Sequence, residues 1–165
     1  MVHRRSEAER TERRDRIREA AQNPHLLTER FVLPKDELLR KRFLDLVRAA
    51  TEVVNSAEFR GLISMQFSGS FLKGYANKDS DIDFLVLFDS SKGFRQNDGD
   101  LKKRLFELSG VPQKLFHFSY QDIAPNVVER QVGLTASSGE ASTIGAGLLS
   151  NLSVFLEQRF PQEIA

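Results

Sequence analysis

Apolar positions along this 165-residue chain change period several times. Between Pro34 and Glu58, Leu39, Phe43, Leu46, Ala50, Val53 and Ala57 recur at the helical interval, and Leu38, Val47 and Val54 widen the stripe. The pattern predicts an amphipathic helix that packs on a sheet or on another helix, with Gly61 as its stop. Ile63, Met65 and Phe67 then alternate with Ser64, Gln66 and Ser68, the period of a strand. A second alternation spans Asp81 to Phe88, with Ile82, Phe84, Val86 and Phe88 on one face and Asp81, Asp83, Leu85 and Leu87 on the other. Leu101, Leu105 and Leu108 mark a short helix closed by Gly110 and Pro112. Lys114 to Tyr120 reads as a third strand that groups Leu115, His117 and Ser119 against Phe116, Phe118 and Tyr120. Asp122 to Gln131 reads as a helix with Pro125 in its first turn, and Ile144 to Arg159 as a tail helix ending before Pro161. This order gives an α/β (α+β) domain in which a small mixed sheet is covered by helices, with helical extensions at both ends.

The stretches between these elements divide the chain. Residues 3 to 22 are dominated by Arg and Glu and offer no face to bury. Asp89 to Asp100 carries turn chemistry and predicts a mobile loop at the end of the second strand, and 135 to 147 is a Ser/Thr/Gly/Ala-rich connection. The expected organisation is a charged arm over 1–33, a domain over 34–133, and a connection with a tail helix over 134–165.

Chemistry concentrates at residues 67 to 88. Asp81 and Asp83 share one face of a strand apolar enough to belong inside a sheet, so their repulsion and desolvation call for a cation between them. Mg²⁺ fits, because it takes oxygen ligands and is held by one or two carboxylates plus substrate phosphates. Upstream, Gly69-Ser70 follows a strand and precedes an expected helical turn over Phe71 to Tyr75, a setting in which backbone amides and a hydroxyl suit a phosphate.

Gly69-Ser70, ten residues, then Asp81-x-Asp83, with Lys73-Gly74 and Ser80 between, resembles the signature of the DNA polymerase β-like nucleotidyltransferase superfamily, and most of all its minimal nucleotidyltransferase branch. The similarity covers roughly residues 60 to 132. It implies a mixed sheet of that type and a reaction in which a nucleoside triphosphate, expected to be ATP, lies against Gly69 and Ser70. Mg²⁺ (or Mn²⁺) on Asp81 and Asp83 then bridges its phosphates, and a nucleoside monophosphate passes to an acceptor hydroxyl. Lys73 matches a position where relatives often carry a basic residue that neutralises the triphosphate; a solvent-exposed lysine is the alternative. Ser80 falls within the motif and is expected to brace the turn before the strand. Members of that branch often act with a HEPN-type partner protein as antitoxins, some by transferring AMP to it.

One position departs from the family. Where relatives place a third carboxylate on the third strand, this chain has His117. A neutral imidazole accepts a proton near physiological pH but is a poorer Mg²⁺ ligand than a carboxylate. His117 therefore reads either as a general base or as a structural histidine in a weakened site. Two functions follow: a metal-dependent nucleotidyltransferase, or a nucleotide- or protein-binding module on the same fold.

Composition narrows the rest. A formal net charge of +1 gives no support for a dedicated nucleic-acid binder. The absence of cysteine excludes disulfides and thiolate chemistry. His3 and His25 lack companion ligands, and no apolar run is long enough to span a bilayer. A cytoplasmic protein without membrane contact is the expectation.

Overall fold

The computed structural model describes residues 6–8, 11, 33–68, 77–124, 130–134 and 152–164. Helix α1 (Glu37–Asn55) starts where the Asp36 carboxylate accepts the Leu39 amide at 3.0 Å. It buries Leu39, Phe43, Leu46, Val47, Ala50, Val53 and Val54. Leu38, expected to widen that stripe, points outward at 61% exposure, and Ala57 lies exposed beyond the helix end.

Four strands form one mixed sheet in the order β3-β2-β1-β4. Strand β1 (Leu62–Ser68) runs antiparallel to β2 (Ile82–Phe88), and β2 runs parallel to β3 (Phe116–Asp122). A short edge strand, β4 (Gln131–Leu134), lies parallel to β1. Met65, Phe67, Ile82, Phe84, Val86, Phe116, Val132 and Leu134 turn to one face and join α1, together with Leu101 and Leu105 of α2 (Asp98–Ser109), in the main core. A smaller apolar cluster of Ile63, Leu85, Leu87 and Ile123 stands apart from it. Leu152 and Leu156 of α3 (Leu152–Arg159) complete the main core; α3 stops at Arg159, where the tail helix was expected to end, and a short α4 (Pro161–Ile164) follows.

The third strand begins and ends later than its alternation suggests. Gln113–Leu115 is a 3-10 turn, so Leu115 is buried by that turn and does not extend the His117 row. Asp122 is the last strand residue and not a helix cap, and residues 131 to 134 pair as a strand where a helix end was expected. Residues 125–129, including Pro125, lie outside the described residues, as do those of the arm except 6–8 and 11.

The Asp89 to Asp100 stretch is also more ordered than a loop. Asp89 caps a 3-10 turn over Ser90–Lys92, accepting the Ser91 amide at 2.9 Å, and Asn97 caps α2 by accepting the Asp100 amide at 3.1 Å. Gly61 faces this segment with φ of 77°, and a Cβ there would stand 2.8 Å from the Asp89 carbonyl oxygen, so the close approach requires glycine. Asp122 ties the same loop to β3 by accepting the Ser90 amide at 3.1 Å and the Ala124 amide at 3.0 Å. A Ser90 side-chain hydrogen bond, followed by these amides, holds its carboxyl below the usual aspartate range. The Tyr120 hydroxyl donates to Asp98, and burial together with that acidic partner pushes the phenol above the usual tyrosine range. Among the described residues no helix is long and apolar enough to cross a membrane.

Candidate active site

Asp81 is the residue immediately before β2, one position outside the strand in which the alternation placed it. Its side chain is 61% exposed, while Asp83 is half-buried on the sheet face opposite Ile82 and Phe84. In the sheet, Asp83 pairs with Ser68 of β1 on one side and with His117 of β3 on the other. Parallel pairing gives His117 and Asp83 the same face. The His117 Nε2 stands 3.6 Å from Asp81 Oδ2, too far for a hydrogen bond but close enough for the two groups to meet a common partner. Asp81, Asp83 and His117 are thus neighbours at one end of the β2-β3 pair. Ser68, which precedes Gly69 and Ser70 in the chain, pairs with Asp83 of the carboxylate strand. Gly69, Ser70, Phe71 to Tyr75 and Lys73 themselves lie outside the described residues.

Asp81 is positioned by the turn before it. The Ser80 amide donates to the Asn77 carbonyl at 3.1 Å, the Asn77 amide to Ser80 Oγ at 2.9 Å, and the Asp79 amide to Asn77 Oδ1 at 2.9 Å. Ser80 thus spends its hydroxyl inside the turn. From α1, the Arg42 guanidinium donates to the Lys78 carbonyl at 2.8 Å and fastens the turn to the helix. Nothing local in the sequence singles out Arg42, whose partner is 36 residues away. Arg42→Ala is expected to accelerate amide hydrogen exchange over Asn77 to Asp81 by up to about tenfold while lowering global stability by only about 1 kcal/mol, with Arg42→Lys intermediate. Unchanged exchange in that turn would show that the tether does not hold it.

The sequence reading also passed over a polar row beside the site. Ser64 and Gln66 are fully buried, and the Gln66 carboxamide donates to the Ser64 hydroxyl. Gln66 lies opposite Leu85 on β2 and Gly133 on β4, where the missing side chain leaves it room. The polar half of the β1 alternation carried the signal, since Ser64 and Gln66 occupy the same face as Asp83.

Two carboxylates and an imidazole supply oxygen and nitrogen donors of the kind that divalent cations take. Among the described residues no three His, Cys, Asp or Glu side chains converge into a closed metal site. A carboxylate pair is a donor set that Mg²⁺ takes together with substrate phosphates. Compared with known families, residues 50–131 match the model of a nucleotidyltransferase domain. That span runs from the last turns of α1 to the first residue of β4 and includes Asp81, Asp83 and His117. No curated protein and no solved structure matches the chain.

Proposed function

Because this chain belongs to the nucleotidyltransferase-domain family, we propose that it transfers AMP from ATP to an acceptor hydroxyl, with a HEPN-type partner protein as the acceptor. The observation that carries the reading is the register: Ser68, which leads into Gly69-Ser70, pairs with Asp83, which in turn pairs with His117. A triphosphate resting on the Gly-Ser segment would have its phosphates beside the acidic end of β2. A net charge of +1 favours a protein acceptor over a nucleic acid.

Asp81 and Asp83 are the residues that would hold the divalent ion. Such an ion, when bound, neutralises phosphate charge and polarises the phosphoryl oxygens. The acceptor oxygen forms a bond to the α-phosphorus as the bond from that phosphorus to the β-bridging oxygen breaks. Pyrophosphate leaves with the electron pair. The hydroxyl proton passes to water at the open edge, where Asp81 and His117 are both more than half exposed. The chain's own contribution is positioning: the braced Asn77 to Ser80 turn sets Asp81, and pairing on both sides sets Asp83.

The test uses the full chain co-purified with a HEPN-type partner, and ATP labelled in turn at the α- and γ-phosphate. Label from the α-position should enter the partner with one pyrophosphate released per event. Transfer of the γ-label would make the protein a kinase. ATP binding without pyrophosphate release would leave it a nucleotide-binding module.

A further inference from the structure

Strand β3 forms one margin of the sheet. Just past its end, the Ile123 amide donates to the Phe88 carbonyl at 2.8 Å. Parallel pairing with β2 therefore uses the backbone groups of His117, Ser119 and Gln121, and turns the N–H and C=O of Phe118 and Tyr120 outward. Both residues are partly exposed, and among the described residues no strand or loop hydrogen-bonds to their outward backbone groups. We infer that this edge pairs with the same edge of a second copy of the chain, antiparallel about a two-fold axis at Ser119, so that the two four-stranded sheets become continuous.

The first ground is the lack of the devices that keep sheet edges apart. Edge strands are commonly short or bulged, or carry Lys or Pro. Strand β3 is seven residues long, holds unbroken register with β2 from Phe116 to Asp122, and contains neither Lys nor Pro. The second ground is self-complementarity. With the axis at Ser119, Phe118 of each copy lies opposite Tyr120 of the other, and these outward-facing residues exchange about four N–H···O bonds in all. An axis at Phe118 would instead require Phe116, which is 1% exposed. One at Tyr120 would require Asp122, where the Ser90 loop is tied. The Ser119 axis also sets aromatic ring against aromatic ring and His117 against Gln121, so no like charges meet.

The third ground is Phe106. Helix α1 packs over β1 and β4, and Arg104 turns one side of α2 toward Glu58, just past the end of α1, at 3.3 Å. Phe106, two positions further round the helix, stands on the side away from α1, where the β3 edge lies, and is 44% exposed. Pairing about the axis brings this ring toward its counterpart and extends the apolar contact beyond the strands. The His117 faces of both copies then lie on one side of the joined sheet, with the two His117 Cα atoms roughly 14 Å apart. His117 projects from that face, so the second strand lies beside it and not over it.

The chain contains no cysteine, so a single introduced thiol reports the axis. At a non-hydrogen-bonded pair such as Ser119 with its counterpart, Cα atoms stand about 4.5 Å apart, within disulfide reach. Sedimentation of the full chain at micromolar concentration should give twice the 18.7 kDa monomer mass. Ser119→Lys and Ser119→Glu should each weaken dimerisation about fivefold or more by setting like charges opposite each other, and an equal mixture of the two variants should restore it. Under mild oxidation, Ser119→Cys should cross-link at least about tenfold faster than Gln121→Cys, whose thiols would lie roughly 14 Å apart. Circular dichroism checks that each variant is folded. A monomeric wild type, a dimer indifferent to Ser119→Lys, or equal cross-linking of the two cysteine variants overturns the inference. A chain that is monomeric alone and loses a HEPN-type partner on Ser119→Lys would assign the edge to that partner and overturns it too. The outcome is independent of whether the site transfers AMP.

Discussion

Asp83→Asn is expected to reduce AMP transfer by at least about a thousandfold, roughly 4 kcal/mol of transition-state stabilisation, while leaving the fold intact. The substitution exchanges a carboxylate oxygen for an amide nitrogen at unchanged size, and Asp83 is half-buried at the end of a paired strand, so it does not open a cavity. What it removes is a carboxylate that would hold the cation balancing the triphosphate's charge. Asp81→Asn should behave similarly, and the double substitution should fall little further, because either loss would disable the one ion site proposed for the pair. The unfolding free energy is expected to change by no more than about 1 kcal/mol, since removing one of two neighbouring like charges relieves repulsion. Pyrophosphate release measured beside a urea melt separates the two effects. Transfer retained above a tenth of the wild-type rate in the double variant would remove these aspartates from the chemistry.

Much of the fold around Asp83 was legible in the sequence, and the reason is local. Phe84 and Asp83 alternate because the strand has one face on α1 and α2 and another toward the site, and burial imprints that period on the sequence. The α1 stripe was legible on the same ground, although its outermost member, Leu38, is exposed because the helix turns only one side to the sheet. Features set by distant partners left no such imprint. Strand β4 is four residues long and becomes a strand through its parallel pairing with β1, so Gln131-Val-Gly-Leu134 carries too few positions to show a period. Leu115 looked like part of the His117 row because alternation cannot register the 3-10 turn closed by the Leu115 amide on the Pro112 carbonyl at 3.1 Å. Arg42 lies among the polar residues of α1 and acquires its role only when the fold brings Lys78 to it.

The largest effect on stability is expected at the residue next to Asp83. Phe84 is 1% exposed and lies among three rings, with centroids 4.5 Å from Phe67, 6.0 Å from Phe118 and 6.3 Å from Phe116. Phe67 in turn meets Phe43 of α1 at 5.1 Å, so this aromatic chain joins the helix to the middle of the sheet. Phe84→Ala removes the ring from the centre of that chain and should cost about 3–5 kcal/mol through lost transfer energy and the cavity left behind. A domain of this kind has about 5–15 kcal/mol in total, so the variant loses roughly a fifth or more of its margin and its melting midpoint should fall by roughly 10–20 °C. Phe84→Leu keeps most of the volume and should cost only about 1–2 kcal/mol. Phe84→Ala should also weaken activity well below its midpoint, because the backbone that carries Asp83 is fixed from behind by this ring. A loss under 1 kcal/mol would mean that α1 does not pack on β2 at this point, and the register that brings Asp83 beside Ser68 and His117 would then lack its anchor.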